Sequence, residues 1–370
     1  MSQLPDAQSP GPTVRGVTTR AVKVPLTLPL GTSAAVIREA PLLLVDLQTE
    51  EGVVGRSYLF CYSSSGARAI AAHLHEAVEL VRGQSLAPRP IARGLARRFA
   101  LLGLTGTVRM ALSALDVALW DALAISQRLP LASLLGARPR PVRAYNSCGL
   151  GLMRPEAAAD EAEALLERGF AAVKLRLGHA TLVQDLLVTR AVRRRLPDHV
   201  ALMVDYNQAL SVAEALLRGH ALQQEGVYWL EEPTRHDDLR GNAAIARELS
   251  LPLQIGENFN GPEAMLDAFG ADACDYVMPD LARIGGVTGW MDAAGLAAAR
   301  GVAMSSHLMP EVSAHLLAAT PTCHWLEYVD WADAILEEPL AIVAGDAVVP
   351  DRPGHGMVWD TAKLAALPTI

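Results

Sequence analysis

The sequence is short of the features that would place it in several large functional classes. Its four cysteines, Cys61, Cys148, Cys274 and Cys323, lie far apart with no CxxC spacing, which argues for free buried thiols and against a disulfide framework or a zinc site. No long basic run occurs, and 32 Lys and Arg stand against 40 Asp and Glu for a formal net charge of −8. Nucleic acid is therefore not an expected partner. No stretch reads as a membrane span, and Met1 to Arg15 is polar and rich in Pro and Gly rather than patterned as a secretory signal. The expectation is a cytoplasmic protein that binds no membrane and whose residues 1–15 are frayed or disordered.

What is present is a large apolar supply. At 370 residues and 51% apolar content, the chain can build two domains that share an interface and still bury subunit surface, so a homo-oligomer is expected. Three β-rich stretches come first, Thr18 to Pro25, Pro41 to Thr49 and Gly52 to Phe60. Helical periodicity follows in Ala67 to Val81 and in Thr107 to Ile125. Strands followed by helices predict an α+β domain over residues 16–138. After the Ala137–Pro141 stretch the period changes to alternating strands and helices, with apolar strand candidates at Val142–Ser147, Ala171–Leu175, Ala201–Asp205, Val227–Leu230, Leu253–Ile255, Tyr276–Met278, Val302–Met304 and Trp325–Glu327. Eight such strands, separated by amphipathic helices such as Pro155 to Arg168 and Ser211 to Gln224, predict an α/β barrel over residues 139–336. The Pro- and Gly-rich residues 337–370 are expected to return to the first domain.

Six ionisable residues directly follow short apolar runs: Lys174, Asp205, Glu231, Glu257, Asp280 and His307, at gaps of 31, 26, 26, 23 and 27 residues. Such gaps hold one strand, one helix and two loops, and strand ends converge on one mouth of a barrel. A lone acid at a strand end is more often a helix cap or an ion-pair partner. Asp205, Glu231 and Glu257 in consecutive repeats instead form the oxygen donor set that a hard cation such as Mg²⁺ takes, and a dication removes the repulsion among them. Glu232 should point away from Glu231 and support it from behind.

Lys174 and Arg176, two residues apart on one strand, face the same way. They either neutralise the three acids or serve a substrate, with Lys174 on its carboxylate and Arg176 against the carbon that loses a proton. Asp280 and His307 end neighbouring strands, so a carboxylate can fix the imidazole tautomer and raise its basicity, which makes His307 a candidate general base. Glu327 is expected either to stay protonated and donate to a developing anion, or to be a buried structural acid.

The segments Met203–Gln208, Trp229–Thr234, Gly256–Asn258, Met278–Asp280, Ile284–Trp290, Met304–Leu308 and His324–Glu327, with Ser57–Phe60 near the start, resemble mandelate racemase of the enolase superfamily. The likeness runs almost end to end. It implies a (β/α)₇β TIM-like barrel under an N-terminal α+β capping domain, and an isomerase or lyase that removes the proton α to a carboxylate to give a metal-stabilised enediolate. A Lys or His base working beside Mg²⁺ is a known property of that superfamily, and it comes to this chain only through the resemblance. By the resemblance, Asp205, Glu231 and Glu257 hold Mg²⁺, for which Mn²⁺ can substitute. His307 with Asp280 is the base on one face, while Lys174, Ser147 and Glu327 engage the carboxylate of a small-molecule substrate and Asn207 lines the metal site. The capping loop Leu30 to Ala40, with Phe60 and Tyr62, is implied to close over the mouth opposite Leu308 and Val329. Leu30, Ala34 and Ile37 favour a 2-hydroxy acid with an apolar or aromatic substituent, while Arg38 and Glu39 argue for a polar one unless they are solvated.

One position departs from the pattern. The family has Lys-x-Lys where this chain has Lys174-Leu-Arg176, and a guanidinium keeps its proton. A reaction that starts at His307 survives this change, whereas racemisation by two bases needs Arg176 to act as one. The expectation is thus a racemase or epimerase of a 2-hydroxy acid. The alternative is an acid-sugar dehydratase in which His307 is a single acid–base, and a third is a barrel without activity that only binds.

Overall fold

The computed structural model describes residues 11–33 and 35–370. Residues 1–10 of the expected frayed start, and Ala34 of the expected substrate wall, lie outside the described residues. The first sheet is an antiparallel β1 (Val14–Gly31), β2 (Val36–Thr49) and β3 (Val54–Phe60) in that order. Its pleat explains the continuous apolar run in β2: Leu43, Val45 and Leu47 pack with Leu59 under the helices α1 (Ser64–Val81), α2 (Pro88–Phe99) and α3 (Gly106–Ser126), while Leu42 and Leu44 face the barrel. Both faces of the strand are buried, so it shows no polar alternation. The same alternation turns Tyr58 and Phe60 toward the barrel.

Two departures from expectation occur in this sheet. The first strand begins at Val14, inside the stretch expected to fray, because Val14 is buried and its amide donates to Gln84 O at 2.9 Å. The capping loop expected over Leu30 to Ala40 is mostly hairpin, with Leu30 paired to Ile37 and Gly31 to Val36. Pairing breaks between Pro25 and Leu30 and then resumes. Prolines at 25 and 29 supply no ladder donor, so the sequence there hides the continuation of the strand.

The second unit is a barrel of eight parallel strands: β4 (Val142–Asn146), β5 (Ala172–Arg176), β6 (Ala201–Asp205), β7 (Val227–Glu231), β8 (Leu253–Ile255), β9 (Tyr276–Val277), β10 (Ala303–Met304) and β11 (Leu326–Tyr328). Neighbours pair in chain order from β4 to β10, and β11 pairs with β4. The remaining seam closes by Met304 N to Thr322 O at 2.9 Å and Ser306 N to Trp325 O at 3.0 Å. All eight strand candidates are present, two with the expected ends and six with ends shifted by one residue. Helices cross between them; Ser211 caps the helix Val212–Leu222 through a capping box with Glu214. The expected helix Pro155–Arg168 stops earlier, at Ala164, and Arg168 takes a left-handed φ of 64°. The C-terminal residues add a short hairpin to β4 and then run back to the first sheet, where Pro368 O accepts from Lys23 N at 3.1 Å and Ile370 N donates to Ala21 O at 3.0 Å.

Inward-pointing residues fill the barrel in layers. Tyr145, Ala172, Met203, Trp229 and Trp325 form an apolar floor. Two residues further along the same strands stand Ser147, Lys174, Asp205, Glu231 and Glu327, all buried. The period of two along a strand puts an ionic layer directly on an apolar one, and the low dielectric of that floor strengthens charge interactions above it.

Candidate active site

Asp205 pairs with Glu231 across β6 and β7, and Glu257 stands just beyond β8. One carboxylate oxygen from each of the three lies within 4.8 Å of the others. The donors are three anions and no sulfur or imidazole, which suits a hard divalent cation and not a soft one. Lys174 Nζ sits among acids, 2.6 Å from Glu231 Oε1, 2.8 Å from Glu327 Oε1 and 3.4 Å from Asp205 Oδ2. The arrangement matches the neutralising alternative for Lys174. Burial alone would lower the Lys174 pKa, but Glu231 and Glu327 outweigh it and hold the ammonium well above its ordinary range.

Tight turns after the strand ends aim these groups. Asn207, Glu232 and Leu308 have φ of 45°, 38° and 52°, and such left-handed non-glycine residues concentrate where a site overrides local preference. The turn at Asn207 lets its N and Nδ2 donate to the two Asp205 oxygens at 2.7 and 3.0 Å. Glu232 points away from Glu231, as expected, and accepts from Gly256 N at 3.1 Å and Asn258 Nδ2 at 3.2 Å, steadying the loop that carries Glu257. Burial, with Glu257 nearby, raises the Glu232 carboxyl to about 8. Gly256 itself adopts φ 138°, and a Cβ there would meet Met278 N at 2.9 Å, so the turn into Glu257 requires glycine.

Asp280 and His307 form an isolated parallel bridge. Asp280 Oδ1 caps the following turn by accepting from Ala282 N at 2.7 Å and Arg283 N at 3.1 Å, which leaves Oδ2 for His307 Nδ1 at 2.7 Å. His307 Nε2 then faces Glu257 Oε2 at 3.2 Å and Glu327 Oε2 at 4.0 Å. Burial would lower the imidazole pKa, but Glu257, Glu327 and Asp280 outweigh it and raise it to about 9. Arg176 is pinned on the other side: Nη1 donates to Ser147 O at 2.9 Å and Gly149 O at 2.8 Å, and Nη2 to Ser147 Oγ at 2.8 Å.

Glu327 differs from the protonated acid considered above. Every near neighbour donates to it: Ser147 Oγ at 2.7 Å, Leu308 N at 2.8 Å and Lys174 Nζ at 2.8 Å. Burial pushes its pKa up, yet Lys174 and His307 overcome burial and hold the carboxyl well below the usual range. The strand-end position showed where Glu327 lies but not how many donors converge on it.

A cavity of about 270 Å³ opens over these groups. Lys174, Arg176, Asp205, Asn207, Glu257, His307 and Glu327 line its floor. Its outer wall is Leu30, Ile37, Phe60, Tyr62, Leu308 and Val329, to which the structure adds Thr32, Ala35 and Trp331. Glu231, Asp280 and Ser147 lie just beneath, bonded to lining residues. Sequence reasoning missed Trp331, whose ring centroid is 4.9 Å from that of Phe60; its position two residues after Val329 was the available signal. The pair Tyr58 and Glu311 was missed as well. Tyr58 Oη donates to Glu311 Oε2 at 2.6 Å, tying β3 to the barrel helix Pro310–Ala318. Replacing Tyr58 by Phe leaves that buried carboxyl without its donor, and urea melts should show a loss of about 1–3 kcal/mol.

Known proteins share this architecture. Residues 14–136 match the mandelate racemase/muconate lactonizing enzyme N-terminal domain, and residues 157–363 match the enolase C-terminal domain-like family. The chain belongs to the enolase superfamily. It is similar to an enolase from alpha proteobacterium BAL199 solved with bound magnesium, at 44% identity over 97% of this chain and all of that one, with a TM-score of 0.95. A Bradyrhizobium enolase solved with magnesium and mandelic acid is 38% identical over 98% of this chain and 100% of that one, TM-score 0.94. L-talarate/galactarate dehydratase of Salmonella typhimurium is 31% identical over 86% of this chain and 81% of its own length. The superfamily member is an enzyme of the isomerase or lyase kind. The resemblance to mandelate racemase in particular is narrower than these findings, since curated relatives are named as dehydratases and cycloisomerases. Among the described residues no helix is long and apolar enough to cross a membrane.

Proposed function

We propose that this enzyme is a Mg²⁺-dependent dehydratase of a 2,3-dihydroxy carboxylate, with His307 as its single acid–base. The observation that carries the reading is the fixed Arg176 guanidinium, which spends its terminal nitrogens on Ser147 and Gly149 and, keeping its protons, has no lone pair with which to take one from the substrate. Asp205, Glu231 and Glu257 would hold the cation, for which Mn²⁺ can substitute. When bound, it supplies positive charge for the negative charge that builds on the substrate carboxylate. Lys174, freed from part of its contact with the acids, binds that carboxylate, while Ser147 beneath it spends its hydroxyl proton on Glu327 and accepts from Arg176. Glu327 keeps Lys174 and the Leu308 amide in place. Asn207 orients Asp205, and Arg176 stays a fixed cation beside the reacting carbon.

His307, oriented by Asp280, takes the α-proton. The same imidazolium then returns that proton to the β-hydroxyl, which leaves as water while the Cα–Cβ double bond forms. The resulting enol becomes a 2-keto acid. One residue on one face serves both steps, so no second base is needed. Held by Glu257, a cation would offset one of the carboxylates that raise the His307 pKa.

The apolar outer wall favours a second reading, racemisation of a 2-hydroxy acid with an aromatic or aliphatic substituent. The side chains of Leu30, Ile37, Phe60, Leu308 and Val329 offer no hydrogen-bond partner for a polyol chain. The two readings separate in one screen of hydroxy acids with Mg²⁺. Accumulation of 2-keto acid is the expected result; a change of optical rotation without keto acid would replace the dehydratase reading by the racemase one.

A further inference from the structure

The residue that joins the three parts of the mouth is Arg283, in the short turn Leu281–Ile284 that Asp280 caps. Its backbone amide donates to Asp280 Oδ1 at 3.1 Å. Its guanidinium reaches in two other directions. Nη1 donates to the main-chain carbonyl of Glu257 at 2.8 Å and to Asn258 Oδ1 at 2.9 Å, while Nη2 donates to Tyr62 Oη at 2.6 Å. The guanidinium carbon lies 5.1 Å from the centre of the Tyr62 ring.

Tyr62 belongs to the segment that leaves β3 toward α1, and it stands at the cavity wall with half of its surface exposed. It holds φ 62°, a conformation unfavourable for an aromatic residue unless its surroundings fix it. Two contacts do so: the Phe60 ring at 4.5 Å and Arg283. Glu257, on the other arm, is the one member of the acid trio that lies beyond its strand. Its place depends on the turn at Gly256 and on what holds its main chain.

We propose that Arg283 is a positioning residue that latches the capping segment at Tyr62 to the loop carrying Glu257, so that closure of the cap and placement of a cation ligand are set by one guanidinium. A planar fork is suited to this because it can satisfy partners in two directions with little loss of freedom. A single ammonium can serve one arm at a time. The cation arm rests on the Mg²⁺ reading above, whereas the cap arm does not.

The test uses the full chain, with Mg²⁺ titrated calorimetrically and amide hydrogen exchange followed over residues 61–66 without substrate. Arg283→Met should weaken Mg²⁺ binding by about 10–100-fold, the usual cost of removing a group that orients a ligand, and should speed exchange in residues 61–66. Tyr62→Phe should speed exchange in the same residues and leave the Mg²⁺ affinity unchanged. Arg283→Lys should recover most of the Mg²⁺ affinity without recovering slow exchange, a split that loss of general stability would not produce. Should Arg283→Met fail to fold, Arg283→Lys and Tyr62→Phe carry the comparison. Wild-type Mg²⁺ affinity in Arg283→Met, or equal weakening of Mg²⁺ binding by Tyr62→Phe, overturns the latch. A wild-type protein that binds no Mg²⁺ would overturn the metal reading instead, and the exchange data would then decide the cap arm alone.

Discussion

Glu231→Gln is expected to lower turnover by about 10³-fold or more, on the scale of losing a principal charge-stabilising group, while the fold stays intact. The side chain keeps its shape, and its one remaining oxygen can still accept from Lys174 Nζ, 2.6 Å from Oε1 in the wild type, while the amide nitrogen gives up the acceptor that Trp229 Nε1 uses at 3.0 Å. What it loses is the charge that makes the trio a cation site. Burial raises the Glu231 carboxyl well above its ordinary range despite the opposing pull of Lys174, so the wild-type site is costly without a cation and gains by binding one. Thermal melts read this directly. Mg²⁺ at about 100 times its Kd stabilises a protein that binds it only when folded by about 2.7 kcal/mol, and EDTA should remove both that gain and the activity. Glu231→Gln should melt at the same temperature with and without Mg²⁺. Near-normal turnover by the variant, or a full Mg²⁺-dependent rise in its melting temperature, would remove Glu231 from the ligand set.

The acids were legible in the sequence because a barrel repeats. Asp205, Glu231 and Glu257 each follow an apolar run, and regular spacing carries that local fact to a shared mouth. The His307 and Asp280 pair was legible for the same reason, their strands being neighbours. Features set by side-chain reach were not legible. The spacing offered contact with the acids as one reading of Lys174, but nothing in it shows that three donors converge on Glu327, or that Arg283 extends from its turn to Tyr62, 221 positions away in the chain. Long-range meetings of this kind depend on how the first sheet sits on the barrel. The hairpin over Leu30 to Ile37 was hidden differently, by prolines that interrupt a strand without ending it.

Isotope exchange at the α-carbon addresses the departure from Lys-x-Lys most directly. With His307 as the only working base, the wild type in D₂O should exchange the α-hydrogen of just one enantiomer of a 2-hydroxy acid, the one whose hydrogen faces His307. His307→Asn should then stop exchange, a loss of about 10²–10⁴-fold or more, as expected for removal of a general base. Arg176 cannot replace it, because its terminal nitrogens are committed to Ser147 O, Gly149 O and Ser147 Oγ and a guanidinium holds its proton at any working pH. Arg176→Lys leaves His307 untouched and alters only the far face: an amine can lose its proton, so the variant should begin to exchange the opposite enantiomer and gain racemisation. NMR of each enantiomer after incubation separates the outcomes. Exchange of both enantiomers by the wild type, persisting on the far face in His307→Asn and falling in Arg176→Lys, would make Arg176 the second base and racemisation the native reaction.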